Sequence, residues 1–430
     1  MIILLIFLVF LIFLLFGAPL ITALGLSTLF PIFFGESGAY TTEAVSRWIV
    51  QGADSITVIS IPMFILAGAI MSKGGIAKKI FDVFAYFVGG KRAGLLIATI
   101  FTCLFYGAIS GSGVATAAAV GGMTLPILMK LGYDKVFCAS LIAVAGSLGV
   151  VIPPSIPFVI YGSITGTSVS GLFTAGILPG ILIGSSLCIY TWFYCKKHGE
   201  DKEKIDAMVK ELKSRGLFNI LKESFWAILS PVIILGGIYS GIVTPTEAAV
   251  VSVIYSLLIS IFVYKTIKFS EIIELVRTAI SQFAGLVLLL ALATSFSRAL
   301  TVLQGSKIIG DFIINYISYK YLFLLILNIL LFIMGMFMDV GPVVAILGPI
   351  LLPAAVELGI SPIHMGIIMV CNLAVGMVTP PFGMNLFVVS PMVEKSSLEV
   401  GKSAIPFIGA FIIALVLITY VPAISLLLVR

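Results

Sequence analysis

Charge is scarce along this chain. Only 10% of its 430 residues are Asp, Glu, Lys or Arg, whereas a soluble protein carries about 25%. Nineteen acids and twenty-five bases cannot coat a globule of 45.8 kDa, which excludes a water-soluble fold. Cysteine is sparse too. Cys103, Cys138, Cys188, Cys195 and Cys371 lie in or beside apolar stretches without CxxC spacing, so they read as small buried residues rather than a disulfide or metal framework. The two histidines, His198 in the hydrophilic loop and His364 at a helix start, have no partner motif. GxSxG, HExxH and paired catalytic aspartates are absent, which leaves an intramembrane enzyme without catalytic groups. No basic residue precedes Arg47, so the first sixteen apolar residues lack a signal-peptide n-region and read as a retained helix. The net charge of +6 carries no nucleic-acid signal, because the bases gather at the ends of apolar runs as the positive-inside rule requires.

What fills the chain is apolar: 60% of residues, with a mean hydropathy of +1.22. The runs do not alternate as barrel strands do, so the chain reads as an all-α polytopic membrane protein. Apolar segments cover 2–16, 19–34, 49–72, 94–109, 114–129, 136–152, 156–165, 171–195, 225–241, 247–264, 279–303, 321–337, 341–356, 364–378, 383–393 and 404–428. Several fall short of the roughly twenty residues a span needs. The short ones pair around Gly, Pro and Ser, which predicts hairpins and broken helices. Trp48, Trp192 and Trp226 read as interfacial belt residues at helix ends.

The bases orient the chain. The stretch 196–224 holds Lys196, Lys197, Lys202, Lys204, Lys210, Lys213, Arg215 and Lys222 among six acids and reads as a cytoplasmic linker. Threading outward from it puts Lys73, Lys78, Lys79, Lys91, Arg92, Lys130, Lys135, Lys265, Lys268, Arg277, Lys395 and Lys402 inside as well. Only Arg47, Arg298, Lys307, Lys320 and Arg430 fall outside. Both chain termini are then periplasmic. With bases on both flanks inside, 94–109 and 114–129 must enter and leave from one side, as a re-entrant hairpin tipped by Ser110-Gly111-Ser112-Gly113. Its counterpart, 321–337 with 341–356, opens outward around Asp339-Val340-Gly341-Pro342.

The chain also repeats itself. At a constant offset of 227, Leu125-Pro126 falls on Leu352-Pro353, Leu131-Gly132 on Leu358-Gly359, Gly149 on Gly376 and Pro153-Pro154 on Pro380-Pro381. The halves carry opposite orientations. Inverted repeats with interrupted helices mark secondary transporters, whose sites sit at the breaks. Ile76–Gly89, with Lys78, Lys79 and Asp82 opposite Phe81, Phe84 and Phe87, and its counterpart Ile308–Ser318 read as amphipathic surface helices.

Four breaks carry the candidate chemistry. Ser110, Gly111 and Ser112 form a tip with hydroxyls and an unencumbered backbone. Pro153 and Pro154, beside Ser155, remove successive donors and free carbonyls, for which Na⁺ is a suitable partner at membrane depth. Thr379, Pro380, Gly383 and Asn385 repeat the device. Asp339, with Gly341 beside it, aligns on Ser112, and an ionisable residue at a break is a functional candidate by default. Plainer readings stand beside these: small residues for close helix packing, proline pairs as kinks, Asp339 as a solvated loop residue. Arg298 reads as a snorkelling anchor, with a substrate-carboxylate role as the alternative.

Gly107 to Thr116, Ile152-Pro153-Pro154-Ser155-Ile156-Pro157 and Thr379-Pro380-Pro381-Phe382-Gly383 together resemble the large membrane subunit of tripartite ATP-independent periplasmic (TRAP) transporters, over essentially the whole chain. The resemblance implies Na⁺-driven uptake of a carboxylated solute, sialic acid or a C4-dicarboxylate with a lean toward the former, across a bacterial inner membrane. It implies a periplasmic substrate-binding protein and a separate small four-helix membrane subunit as partners. It further implies an elevator-type fold of the ion-transporter kind: scaffold helices 1–72 and 225–304, interfacial helices 73–92 and 305–320, linker 196–224, and a transport domain of 93–195 with 321–430. Na⁺ ligands would come from Ser110, Gly111, Ser112, Pro153, Ser155, Asp339, Gly341, Thr379, Pro380, Gly383 and Asn385, and solute contacts from Ser112, Thr116, Ser155, Asn385 and Arg298. The rival within transport is a stand-alone Na⁺/carboxylate symporter or ion exchanger of the same architecture. Broken inverted repeats argue against a channel, since they suit alternating access around an occluded site.

Overall fold

A computed structural model describes residues 2–34, 40–305 and 319–429, which form helices and no β-strand. The surface helix read at Ile308–Ser318, with Lys307, and the terminal Arg430 lie outside the described residues. Nine described helices are long and apolar enough to cross a membrane.

The first half runs α1 (Ile2–Leu15), α2 (Leu20–Leu29), α3 (Thr42–Ala53), α4 (Ile56–Lys73), α5 (Ile76–Val88), α6 (Gly94–Ser110), α7 (Gly113–Lys130), α8 (Lys135–Gly146), α9 (Ile156–Thr165) and α10 (Val169–His198). Then α11 (Lys202–Ser214) leads to the second half: α12 (Leu217–Tyr239), α13 (Pro245–Leu258), α14 (Phe269–Val302), α15 (Lys320–Phe337), α16 (Val340–Glu357), α17 (Pro362–Gly376), α18 (Met384–Val389), α19 (Ser397–Tyr420) and α20 (Ala423–Leu426).

Helix starts follow local chemistry. Asp134 accepts from Phe137 N at 2.7 Å to begin α8. Thr244 and Glu247 form a reciprocal capping box ahead of Pro245 at the start of α13, and Ser396 with Glu399 does the same for α19; each satisfies donors the first turn would leave open. The sequence repeat is reproduced in three dimensions. α7 and α16 begin and end 227 residues apart, and each follows the first arm of a hairpin. α6 meets the segment after α8 where a Cβ on Gly107 would stand 2.7 Å from Gly149 Cα. α15 meets α17 in the same way, a Cβ on Gly335 falling 3.0 Å from Gly376 Cα. Only glycine permits backbones to approach so closely.

Two packing groups result. α6–α10 and α15–α19 pack mainly among themselves, and the swapped partners α9 with α16 and α18 with α7 lock the halves together. α2–α4 and α12–α14 form the other group, which reaches the first through α4 against α6 and α9 and α14 against α16. α5 bridges α6 and α12; Phe81 is buried, Phe84 packs at a tilt against Phe101 and Phe105, and Phe87 is 56% exposed.

Three local readings change. The segment 49–72 is two helices, because Asp54 and Ser55 leave helical geometry between α3 and α4. Trp48 therefore lies inside α3, stacked on Tyr40 at 6.4 Å, rather than at a helix end. The 196–224 linker is largely helical: Asp201 caps α11, whose Ile205, Val209 and Leu212 are buried with α11 lying against α5. His198 belongs to the last turn of α10, stacked on Tyr194 at 4.1 Å.

Candidate substrate and cation site

The two hairpin tips face one cavity. Ser110, Gly111, Ser112 and Gly113 of the first tip and Asp339 and Gly341 of the second line a space of about 540 Å³. α4 closes it with Gly68 and Ser72, α14 with Gln282 and Leu286, and Met377 and Met384 complete the floor. Asp339 is the single ionisable side chain among the lining residues.

The first tip is held by its own hydroxyls. Thr116 Oγ1 donates to the Ser112 carbonyl at 2.8 Å and lies 2.9 Å from Ser110 Oγ; Ser112 Oγ caps α7 by accepting from Ala115 N at 3.4 Å. Gly111 takes φ +62°, and a Cβ there would stand 3.0 Å from the Pro154 carbonyl oxygen. At the second tip Asp339 caps α16, its Oδ1 accepting from Val340 N at 2.7 Å. The helix N-terminus offsets part of that negative charge. The other carboxylate oxygen has no hydrogen-bond partner among the described residues.

Each break is docked onto the hairpin of its own half. Ile156 N donates to Gly111 O at 3.3 Å, and Gly383 N donates to Met336 O at 3.4 Å; Ile156 and Gly383 are 227 residues apart. Both breaks contain a cis peptide, Pro153-Pro154 and Pro380-Pro381. The carbonyls of Val151 to Pro154, and those of the equivalent Val378 to Pro381, receive no hydrogen bond from the described groups. Two sets of oxygen dipoles are thus left without a donor from the described residues, the first of them wholly buried.

The surroundings of the two breaks differ. Residues 151–155 are buried throughout, whereas Pro381 and Phe382 are exposed. Ser155 Oγ turns back to Val150 O at 2.5 Å and Thr379 Oγ1 to Val375 O at 2.8 Å. Asn385 Nδ2 donates to Ala143 O at 2.9 Å, which leaves its Oδ1 buried without a partner. Pro153, Ser155, Thr379, Pro380, Gly383 and Asn385 do not line the cavity, and Thr116 stands behind the first tip. Arg298 is exposed near the end of α14, outside the cavity wall.

Comparison with known proteins gives the assignment. Residues 7–424 match the family model described as "Tripartite ATP-independent periplasmic transporter, DctM component". The chain belongs to this family. It is 39% identical over 410 residues to the isethionate TRAP transporter permease protein DctMQ of Oleidesulfovibrio alaskensis, covering 95% of this chain and 64% of that longer protein. It is 37% identical over 404 residues to the C4-dicarboxylate TRAP transporter large permease protein DctM of Pseudomonas aeruginosa, covering 94% and 93%. The YdaH transporter of Alcanivorax borkumensis shares the fold, with a TM-score of 0.62 at 12% identity over 92% of each chain. This DctM-family chain is a multi-pass transport permease and not an enzyme.

Sequence reasoning overlooked the two polar side chains that α4 and α14 bring to its cavity, and one brace. Gln282 interrupts the apolar run 279–303 and was detectable as a lone amide there. Ser72, next to Lys73 at the end of α4, gave no signal. Glu200 gave none either. Its carboxylate accepts from Ala93 N at 3.1 and 2.9 Å and from Tyr133 OH at 2.6 Å, clamping the start of α6 to the end of α7. Burial, then the neighbouring Glu200, push the Tyr133 hydroxyl well above its ordinary value, so it remains a donor.

Proposed function

We propose that this chain is the large permease subunit of a Na⁺-coupled importer of a carboxylated solute of the C4-dicarboxylate or sialic-acid class in a bacterial inner membrane. A small four-helix membrane subunit and a periplasmic binding protein complete the system. The observation that carries the coupling is the charge inventory of the cavity: one carboxylate and no base. Two like charges a few ångströms apart in a medium of low dielectric repel by several kcal/mol, so an anion enters this space only with cations. Carbonyl dipoles do not hold protons near neutral pH but are suited to a hard cation such as Na⁺; the two sets at Val151–Pro154 and Val378–Pro381 support Na⁺ over H⁺.

In this reading α6–α10 and α15–α19 are the transport domain, and α1–α4 with α12–α14 the scaffold across which it moves. Ser110, Ser112 and Asp339 contribute ligands at the tips, and the N-terminal turn of α7 presents open N–H groups to the solute carboxylate. The 196–224 linker lies in the cytoplasm and both termini in the periplasm.

Proteoliposomes carrying the chain with its small subunit test this. Uptake of a labelled C4-dicarboxylate or sialic acid should saturate, require a Na⁺ gradient and require the binding protein. Asp339→Asn should lower the initial rate by at least about tenfold, the loss of one charged ligand, while leaving the amount of inserted protein unchanged. Uptake driven equally by a pH gradient would overturn Na⁺ coupling, and uptake without the binding protein would overturn the tripartite reading.

A further inference from the structure

A second cavity, of about 720 Å³, shares no lining residue with the first and opens between α5, the start of α12 and the π-helical turn Ile259–Val263 that ends α13. Lys79, Arg215, Lys222, Glu223, Trp226 and Tyr264 lie on its wall. It belongs to the face that carries the basic linker.

The walls are fixed by unusual bonds. The Tyr264 hydroxyl accepts from Ala227 N at 3.1 Å and donates to Glu223 O at 2.9 Å, so it sits between the two groups that an i→i−4 bond of α12 would join. Ser224 Oγ donates to Lys79 O at 2.9 Å, pinning α5 to the same turn. Arg215 is neutralised, with Nη1 at 3.2 Å from Asp82 and Nη2 at 2.6 Å from Glu223. Lys79 and Lys222 have no carboxylate partner among the described residues; the Lys79 ammonium lies over the Tyr264 ring, 4.5 Å from its centroid. Apolar side chains are exposed beside this polar wall: Phe218 at 78%, Phe225 at 53% and Phe262 at 61%.

Two unpaired ammonium groups, an aromatic ledge and a greasy border make a combined requirement. An aqueous anion would satisfy the lysines and leave the phenylalanines bare. Basic pockets between helices at the cytoplasmic boundary take lipid headgroups, and Trp and Tyr favour the headgroup level. We propose that this cavity binds the phosphate of an anionic phospholipid, with Lys79 and Lys222 on the phosphate and Phe225, Trp226 and Phe262 against the glycerol and upper acyl chains. An occupied site would tie α5, which also packs on α6 of the first hairpin, to α12 and α13.

The full-length chain, delipidated in detergent and titrated with dioleoylphosphatidylglycerol, tests this by native mass spectrometry. Lys79→Gln with Lys222→Gln should weaken retention about thirtyfold, the effect of two basic residues at a lipid surface. Lys222→Gln alone, on an exposed position, should weaken it about fivefold and covers the case in which the double variant does not fold. Lys210→Gln with Lys213→Gln, on the exposed face of α11, should leave retention unchanged. Dioleoylphosphatidylcholine should bind weakly, and millimolar inorganic phosphate should not displace the anionic lipid. Equal retention by wild type and both pocket variants, an equal loss in the α11 control, or displacement by inorganic phosphate alone would each overturn the proposal.

Discussion

At the residue scale the site depends on positions where no other side chain serves. Gly111 is one. Its left-handed backbone and its approach to the Pro154 carbonyl make Gly111→Ala both strained and crowded, at a cost of about 1–2 kcal/mol. The expected outcome is a lower melting temperature in detergent together with lost uptake. An unchanged melting curve would show that the tip does not need this contact. Asp339 was legible in the sequence because acids are rare in apolar surroundings. Gly111 and Ser112 were legible because a Ser/Gly tip separates two runs too short to span. Asn385 was read as a site residue from its place after the second proline pair; the structure gives it a tie to Ala143 O, a contact between halves that no local pattern encodes. Gln282 and Ser72 come to the cavity from α14 and α4, distant elements whose meeting with the tips is a matter of tertiary packing.

At the element scale, hairpins hold their shape only if both tips and bases are tied. The first tip is tied by Thr116 and Ile156, the base by Glu200. Glu200→Ala would orphan the Ala93 N–H, whose positive φ of 58° already makes that turn dependent on outside support, and would free Tyr133. Amide exchange at residues 91–95 and 131–134 should then rise by about tenfold or more, the loss of one to two kcal/mol of local protection, while α16 keeps its wild-type protection. Exchange that stays flat at both places would remove Glu200 as a brace. α11 was hidden within a run read only for its charge, although Ile205, Val209 and Leu212 at helical spacing mark an amphipathic helix. The Tyr264 insertion into α12 left no trace in the sequence, since the partners are 37 residues apart and nothing in either segment announces the other.

At the scale of the whole molecule, the constant offset of 227 foretold the equivalence of α7 with α16 and of the two proline breaks, and the structure keeps that register. Symmetry in sequence does not make the surroundings equal. The first break is covered by α10, where a Cβ on Gly176 would stand 2.8 Å from Val151 O, whereas Pro381 and Phe382 of the second are exposed. The proposed topology rests on the distribution of bases and is open to direct labelling. The five native cysteines are buried or half-buried, so background is low. Lys210→Cys on α11 should react with an impermeant maleimide only from the cytoplasm, and Glu43→Cys, exposed on α3, only from the periplasm; the reverse pattern would invert the chain.

The anionic solute and Na⁺ should occupy the cavity together, because its wall carries a carboxyl group and no base. Linkage then requires each ligand to strengthen the other by the same factor. Solute affinity of the purified permease complex, measured by equilibrium binding in Na⁺ and again with choline in its place, reads this directly. Affinity should be at least about tenfold weaker without Na⁺, a coupling of more than about 1.4 kcal/mol, and the difference should be smaller in Asp339→Asn. Equal affinity in Na⁺ and choline would contradict it.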